Sequence, residues 1–337
     1  MLEEDFELLL VNPAHMRNVP GRKTDVQDAE WIADLLAHGL LRASYVPDRP
    51  RREVRELVRY RRSLVGERTA EVNRLHKVLE GANIKLGSVA SDVTGRSGRA
   101  ILGALLAGER DPQVLAELAK GQLRKKRVEL AQALQGRFGP HQHFMLVQLL
   151  THIDYLDEAI AEVEAEIGDR LRPFEEDLAR LQTAPGIKRR TAETVWAALP
   201  DLSYFPSADH LASWAGLCPG NNESAGKRKT GRTRQGSHLL KDALIEAAWA
   251  ASKKKGSYPS AQFHRLAPRR GPKKATVAVA HSLLTSIYHM QTRRTDYHDL
   301  GAAYFDIRKR AQVKNHLIRR LEAIGYAVTL QPATQAT

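Results

Sequence analysis

One cysteine, Cys218, stands in 337 residues, so neither an internal disulfide framework nor a cysteine zinc site can form. Its apolar neighbours place it in a core. No apolar run approaches the roughly 18 residues of a membrane span. Nor does a basic stretch followed by an apolar one open the chain, which points to a soluble, cytoplasmic protein. Aromatic residues are only 6%, too sparse for base-stacking platforms on single strands. Trp31, Trp196, Trp214 and Trp249 fall on helical apolar positions, where packing is the default. The histidines, among them His141, His143, His281, His289 and His298, match no metal-binding spacing, and HExxH is absent.

Positive charge is what the chain has in excess: 52 Lys and Arg against 39 Asp and Glu, a net of +13. In a chain of globular composition, long enough for two or three domains, that excess points first to a nucleic-acid partner. Residues 220–275 hold fourteen cations against Glu223, Asp242 and Glu246, so most of the excess sits there. These charges surround Gly-rich, turn-like sequence instead of alternating in sign along a helix, which favours phosphate contact over a solvated face. A second basic stretch, 42–77, has eleven cations against five acids and fits either reading equally.

Periodicity divides the chain into four regions. Over 1–50, the apolar run Phe6 to Val11 reads as a buried strand ended by Asn12-Pro13. A helix capped by Thr24 then buries Ala29, Ile32, Ala33, Leu35 and Leu36 and stops at Gly39. Over 51–182 an Arg-rich helix, 51–80, turns Val54, Leu57, Val58, Leu64, Val72, Leu75 and Leu79 inward. Gly, Ser and Thr mark 81–98 as a linker or turn region. From Leu149 through Ile153, Leu156, Ile160, Val163, Ile167, Leu171, Phe174 and Leu178 to Leu181, spacings of four and three describe a coiled-coil seam bent near Pro173. Its partner is either the 51–80 helix or a second copy of the chain. Short helices and Gly- or Pro-marked turns fill 183–300, and a basic helix with a polar tail ends the chain over 301–337.

Three constellations can carry chemistry. Ala184-Pro185-Gly186-Ile187-Lys188-Arg189-Arg190 interrupts two helical stretches, and a helix restarting after such a turn leaves backbone N–H groups for a phosphate oxygen. With Lys188, Arg189 and Arg190 beside Gly186, this resembles the helix-hairpin-helix motif of sequence-independent DNA binding; an ordinary tight αα-turn has the same pattern. Ser224 leads into Lys227, Arg228, Lys229, Arg232 and Arg234, a hydroxyl on a flexible cationic loop. The cations can hold phosphate, but the loop has no base to take the serine proton, so alone it reads as a binding loop. Asp25 and Asp28 stand three apart at a helix start, a spacing that suits a shared divalent cation and also suits the helix macrodipole.

In this order the segments resemble the transposases of the IS110 family. Gly21-Arg22-Lys23-Thr24-Asp25-Val26-Gln27-Asp28-Ala29 is similar to the end of that family's RuvC-like nuclease domain. Pro185-Gly186-Ile187, Thr191-Ala192, Phe205, Leu211-Ala212-Ser213-Trp214-Ala215-Gly216-Leu217, Pro219 and Ser224-x-Gly226-Lys227 resemble its second, transposase domain. The resemblance implies a mainly α chain with a partial α/β N-terminal part. An incomplete RNase H/RuvC-like domain would occupy 1–50, long coiled-coil helices 51–182, and an α-helical transposase domain with a helix-hairpin-helix 183–300. It also implies that Asp25 and Asp28 are the last two of four metal-holding carboxylates for Mg2+, and that Ser224 attacks DNA to form a phosphoserine link. A structured guide RNA and homo-oligomerisation, with a site shared between protomers, come with it. Since the family's first Asp and its Glu have no counterpart here, an N-terminally truncated chain is expected. Such a chain either lacks recombination on its own or is an inactive nucleic-acid-binding remnant.

Overall fold

In a computed structural model the chain is described for residues 6, 8–11, 25–41, 43–220, 222–224, 227–230, 233, 236–308 and 310–329. Residues 25–28, 222–224, 227–230 and 311–313 are described by their backbone only. Helices dominate the described residues. They fall into two compact units, Met1–Arg52 with Phe174–Thr337, and Glu53–Pro173.

The first unit begins with α1, Asp25–Ala37. Gly39, at φ +65°, turns the chain just beyond it, as its sequence position demands. Only part of the expected helix face is inside: Leu35 is buried, whereas Ile32 and Leu36 are exposed. The expected buried strand over Phe6 to Val11 is also corrected. Phe6, Leu8, Leu9 and Leu10 are exposed, and pairing is limited to one bridge between Val11 and Ala43 with the Ser44 N–H donating to the Leu10 carbonyl. An apolar run becomes a buried strand only when neighbours supply both a ladder and a face to cover it, and among the described residues this run has one short partner.

Helix α2, Arg49–Gly81, crosses from the first unit to the second. In the second unit follow α3, Leu86–Val89; α4, Arg96–Leu106; α5, Pro112–Glu117; a 3-10 turn, Gly121–Lys126; α6, Arg127–Ala133; and α7, Pro140–Leu171. Its core joins Leu75 and Leu79 of α2 to Ile101, Leu102 and Leu105 of α4, Leu115 of α5, Leu130 of α6 and Leu146 and Ile153 of α7. Residues 81–98, expected as a linker, are turn-rich but packed: Ala82, Ile84, Leu86, Ala90 and Val93 are buried in this core. The seam's partner is now defined. Leu64 meets Leu156 and Ile160, Arg68 pairs with Asp157, and Arg170 reaches back to Glu53, so α2 and α7 run antiparallel. Glu71, buried in this interface, meets Arg74 and His152. Leu57, Val72 and Val163 are only half-buried at its margin.

After a 3-10 turn at Arg172–Phe174, where Pro173 ends the long helix as expected, the first unit resumes. Its elements are α8, Glu175–Gln182; α9, Arg189–Ala198; α10, Ala208–Trp214; β1, Asn222–Ser224; β2, Lys227–Thr230; α11, His238–Ala251; α12, Tyr258–Arg270; and α13, Pro272–Arg293. Two further helices, α14, Tyr304–Arg308, and α15, Arg310–Ala323, complete it. Helix α13 is central, packing against α8, α10, α11 and α12 through Ala275, Val279, Ala280, Leu283, Leu284 and Ile287. Small residues bring the helices close: Ala243, Ala247, Ala248 and Ala251 form the buried side of α11, and Ala192, Ala197 and Ala198 that of α9. Arg51 fastens the start of α2 to the end of α9, donating to the carbonyls of Trp196 and Leu199 while its guanidinium lies 4.6 Å from the Trp196 ring centre.

Candidate nucleic-acid interface

The turn between α8 and α9 is built around Gly186. Its φ of +82° suits glycine, and a Cβ there would lie 2.1 Å from the Ala247 carbonyl oxygen and 2.9 Å from the Ala251 nitrogen. Gly186 thus lets the turn rest on the backbone of α11. Lys188 is the N-cap of α9 and makes no side-chain cap bond, so the helix starts with its orphan N–H groups uncapped. Lys188 and Arg190 are exposed. Arg189 is half-buried and committed to carboxylates, at 2.5 Å from Glu175 and 2.8 Å from Glu193. That guanidinium holds the Glu175 carboxyl below its ordinary value, and the two carboxylates raise Arg189 in turn. A cleft of about 460 Å³ beside the turn includes Thr183, Pro185, Lys188 and Thr191, with Glu246 and Lys254 from the α11 side.

Sequence patterns missed part of this surface. Trp249, expected as packing, is 48% exposed, with Lys253 Nζ 4.3 Å from its ring centre and Phe263 against its edge. The signal was the Lys253-Lys254-Lys255 run just past it, which places cations beside the ring. Trp196 is buried, as expected. Cys218 is half-buried, not a core residue, and burial pushes its thiol up, away from nucleophilic or metal-binding chemistry.

Ser224 does not lie on a loop: it is the last residue of β1, paired across an antiparallel ladder with Lys227, the first residue of β2. Glu223 pairs with Arg228 and Asn222 with Thr230, with a bulge between Asn222 and Glu223. The segment lacks hydrophobic alternation, so its composition reads as loop; the two-residue separation of the strands is what lets the backbones pair. Lys227, Arg228 and Lys229 are on β2, whereas Arg232 and Arg234 lie outside the described residues. The hairpin is held at its base. Pro219 bridges to Thr233, Lys241 of α11 donates to the Thr233 hydroxyl at 2.8 Å, and Gly236 fits against the backbone of Trp214–Gly216, where a Cβ would come within 2.6 Å.

Asp25 opens α1 and Asp28 follows three residues on, within the first turn. Among the described residues no group of three or more His, Cys, Asp or Glu could hold a metal ion, and no helix is long and apolar enough to cross a membrane.

Comparison with known proteins covers both halves of this arrangement. A family model described as transposase, of the IS110 DEDD type, matches residues 1–84, and the model of the transposase IS116/IS110/IS902 family matches 178–265. The chain is similar to the transposase for insertion sequence element IS1111A of Coxiella burnetii, 28% identical over 293 residues, 86% of this chain and 72% of that one. It is similar to the insertion element IS110 43.6 kDa protein of Streptomyces coelicolor, 28% identical over 68% of this chain and 61% of that one. It also resembles the pilin gene-inverting protein of Moraxella bovis, 34% identical over 113 residues, 32% of this chain and 34% of that one. This chain thus spans 61% to 72% of the two insertion-element proteins. With the carboxylate-bearing helix inside one match, the turn and serine hairpin inside the other, and relatives aligned across most of its length, the chain belongs to the IS110 family of transposases.

Proposed function

We propose that this transposase cuts and rejoins DNA with Ser224 as nucleophile and Asp25 and Asp28 as metal-holding carboxylates. The observation that carries the reading is the position of Ser224 at the end of β1, opposite Lys227 in a cation-rich hairpin anchored on α10, α11 and their connection. In the proposed step the Ser224 hydroxyl gives its proton to a base and its oxygen attacks phosphorus. The bond from phosphorus to a sugar oxygen breaks, and that oxygen leaves as a hydroxyl once protonated. A second strand's hydroxyl then attacks the phosphoserine, forming the new phosphodiester and returning the proton to serine, so one bond is exchanged for one bond. Lys227, Arg228, Lys229, Arg232 and Arg234 would neutralise the charge developing on the phosphoryl oxygens. A divalent cation held by Asp25 and Asp28 would supply Lewis acidity and lower the pKa of a bound hydroxyl.

DNA follows from the family, and the gene-inverting activity named for the Moraxella bovis relative supports strand exchange. The α8–turn–α9 unit supports a helix-hairpin-helix contact through Gly186, Lys188, Arg189 and Arg190, with Lys188 and Arg190 toward solvent. A structured guide RNA as second polyanion and a site completed by another copy of the chain belong to the same reading. The decisive experiment is trapping of the adduct. Ser224→Ala should abolish a covalent protein–DNA complex under denaturing electrophoresis while leaving DNA affinity within about threefold, well under the ~1.4 kcal/mol of a tenfold change. An adduct that persists in this variant removes Ser224 from the chemistry. Binding without any adduct in the unaltered chain supports a protein that holds nucleic acid and does not cut it.

A further inference from the structure

Much of the Glu53–Pro173 unit lies outside both family matches, and the proposed chemistry does not use it. Several of its guanidinium groups face carboxylates: Arg68 with Asp157, Arg99 with Asp154, Arg127 with Glu117, Arg170 with Glu53 and Glu166. One cleft, of about 460 Å³, breaks this pattern. Arg96, at the start of α4, and Lys120 and Lys126, around the Gly121–Lys126 turn, line it. Arg124 and Lys125 follow on the same turn. All five side chains are exposed, and among the described residues none has an ion pair or a side-chain hydrogen bond.

The cleft is pre-shaped. Ser97 of α4 accepts the Lys120 N–H at 2.9 Å, tying one wall to the other. Gly98 sits where a Cβ would lie 2.0 Å from the Val93 carbonyl oxygen, so α4 is pressed onto the segment before it. Asp92 is the acid of the lining. Its Oδ1 accepts both the N–H and the hydroxyl of Thr94 at 2.9 Å, which keeps it charged but turned to its own loop. The rest of the lining sets small and polar residues, Ser91, Gly95, Gly121 and Gln122, beside apolar Val89, Ala90 and Leu123, with no aromatic ring to take a base. Three exposed cations around a cleft that holds one carboxylate repel one another, and an anionic partner relieves that repulsion.

We infer that this cleft binds the phosphodiester backbone of a nucleic acid, with Arg96, Lys120 and Lys126 on successive phosphates and Arg124 and Lys125 extending the track. Five cations on two elements reach beyond a single phosphate, and a lining without aromatic groups makes the contact independent of sequence. The inference needs only that the protein meets nucleic acid and does not depend on Ser224. The test uses the full chain carrying Arg96→Gln, Lys120→Gln and Lys126→Gln together. Its affinity for a duplex DNA of arbitrary sequence and for an RNA hairpin is titrated against salt by fluorescence anisotropy. On duplex DNA the slope of log affinity against log salt should become shallower by about 0.9 per lost contact, some 2 to 3 in all. A change confined to DNA or to RNA names the source of the backbone, and a change on both assigns a general track. Should the triple variant melt early, Arg124→Gln with Lys125→Gln, both at the surface, must still flatten the slope by about 1 to 2. Slopes and affinities that match the unaltered chain on both probes overturn the inference. Adduct trapping at Ser224 reports separately on the chemistry.

Discussion

Gly186 and Arg189 stand three residues apart in one turn, yet each is fixed by different physics. At Gly186 the backbone is left-handed and the missing Cβ is replaced by the carbonyl of Ala247. Gly186→Ala therefore combines a backbone penalty with a main-chain clash, and should cost about 2–4 kcal/mol in urea unfolding. The effect on DNA affinity would follow only from displacement of Lys188 and α9. At Glu175 the issue is charge. Arg189 holds this carboxyl below its ordinary value of 4.5, so the folded pKa lies under the unfolded one. The stabilisation is complete above the unfolded value and fades as pH falls through the folded one. Glu175 is exposed and Arg189 half-buried, and solvent screening of the pair keeps the contribution below about 1 kcal/mol. Glu175→Gln should thus lower the melting temperature slightly and equally between neutral pH and about pH 6, and the difference should vanish in acid.

At the scale of elements, the seam of α2 and α7 was the most legible feature of the chain. Alternating steps of four and three marked its inner residues, and Pro173 marked its end, because helix periodicity and proline geometry are local properties. The choice between its two candidate partners, the 51–80 helix and a second copy of the chain, was not legible, since antiparallel pairing depends on Leu64 meeting Leu156 and Ile160 across a chain separation no local pattern records. The two kinds of contact in this pair should weigh differently. Ile153, fully buried, should cost about 2–5 kcal/mol as Ile153→Ala in chemical denaturation. Arg68→Ala, which breaks a partly exposed pair with Asp157, should cost below about 1 kcal/mol. Where local signals misled, the reason lies in pairing. Phe6, Leu8, Leu9 and Leu10 are apolar but exposed, and 222–224 and 227–230 are polar but paired. Strand formation is set by what lies across the ladder.

For the molecule as a whole, the charge arithmetic points to a polyanionic partner, because fourteen cations in 56 residues have few neutralising neighbours in sequence. The proposed metal-dependent step joins two distant stretches, α1 and the hairpin, which makes it the property most exposed to failure. Asp25→Asn and Asp28→Asn, separately, should each abolish the metal dependence of adduct formation with little change in melting temperature, since both residues occupy the first turn of α1. Activity that still responds to Mg2+ in both variants would remove α1 from the site. A loss of folding instead would show the two acids to be serving the helix start.

By itself the sequence determined the two long helices, where the second of them breaks, where positive charge gathers, and which family the motifs resemble. Each of these depends on residues close together along the chain. Tertiary structure decided the rest: that Gly186 seats its turn on α11, that Arg189 is occupied by two carboxylates, that Trp249 faces outward, and that Ser224 ends a strand. It also placed Arg96 beside Lys120 and Lys126, side chains more than twenty residues apart that form one cationic cleft. Burial, ion pairing and charge density are set by distance in space, and the order of residues does not encode that distance until helices have packed.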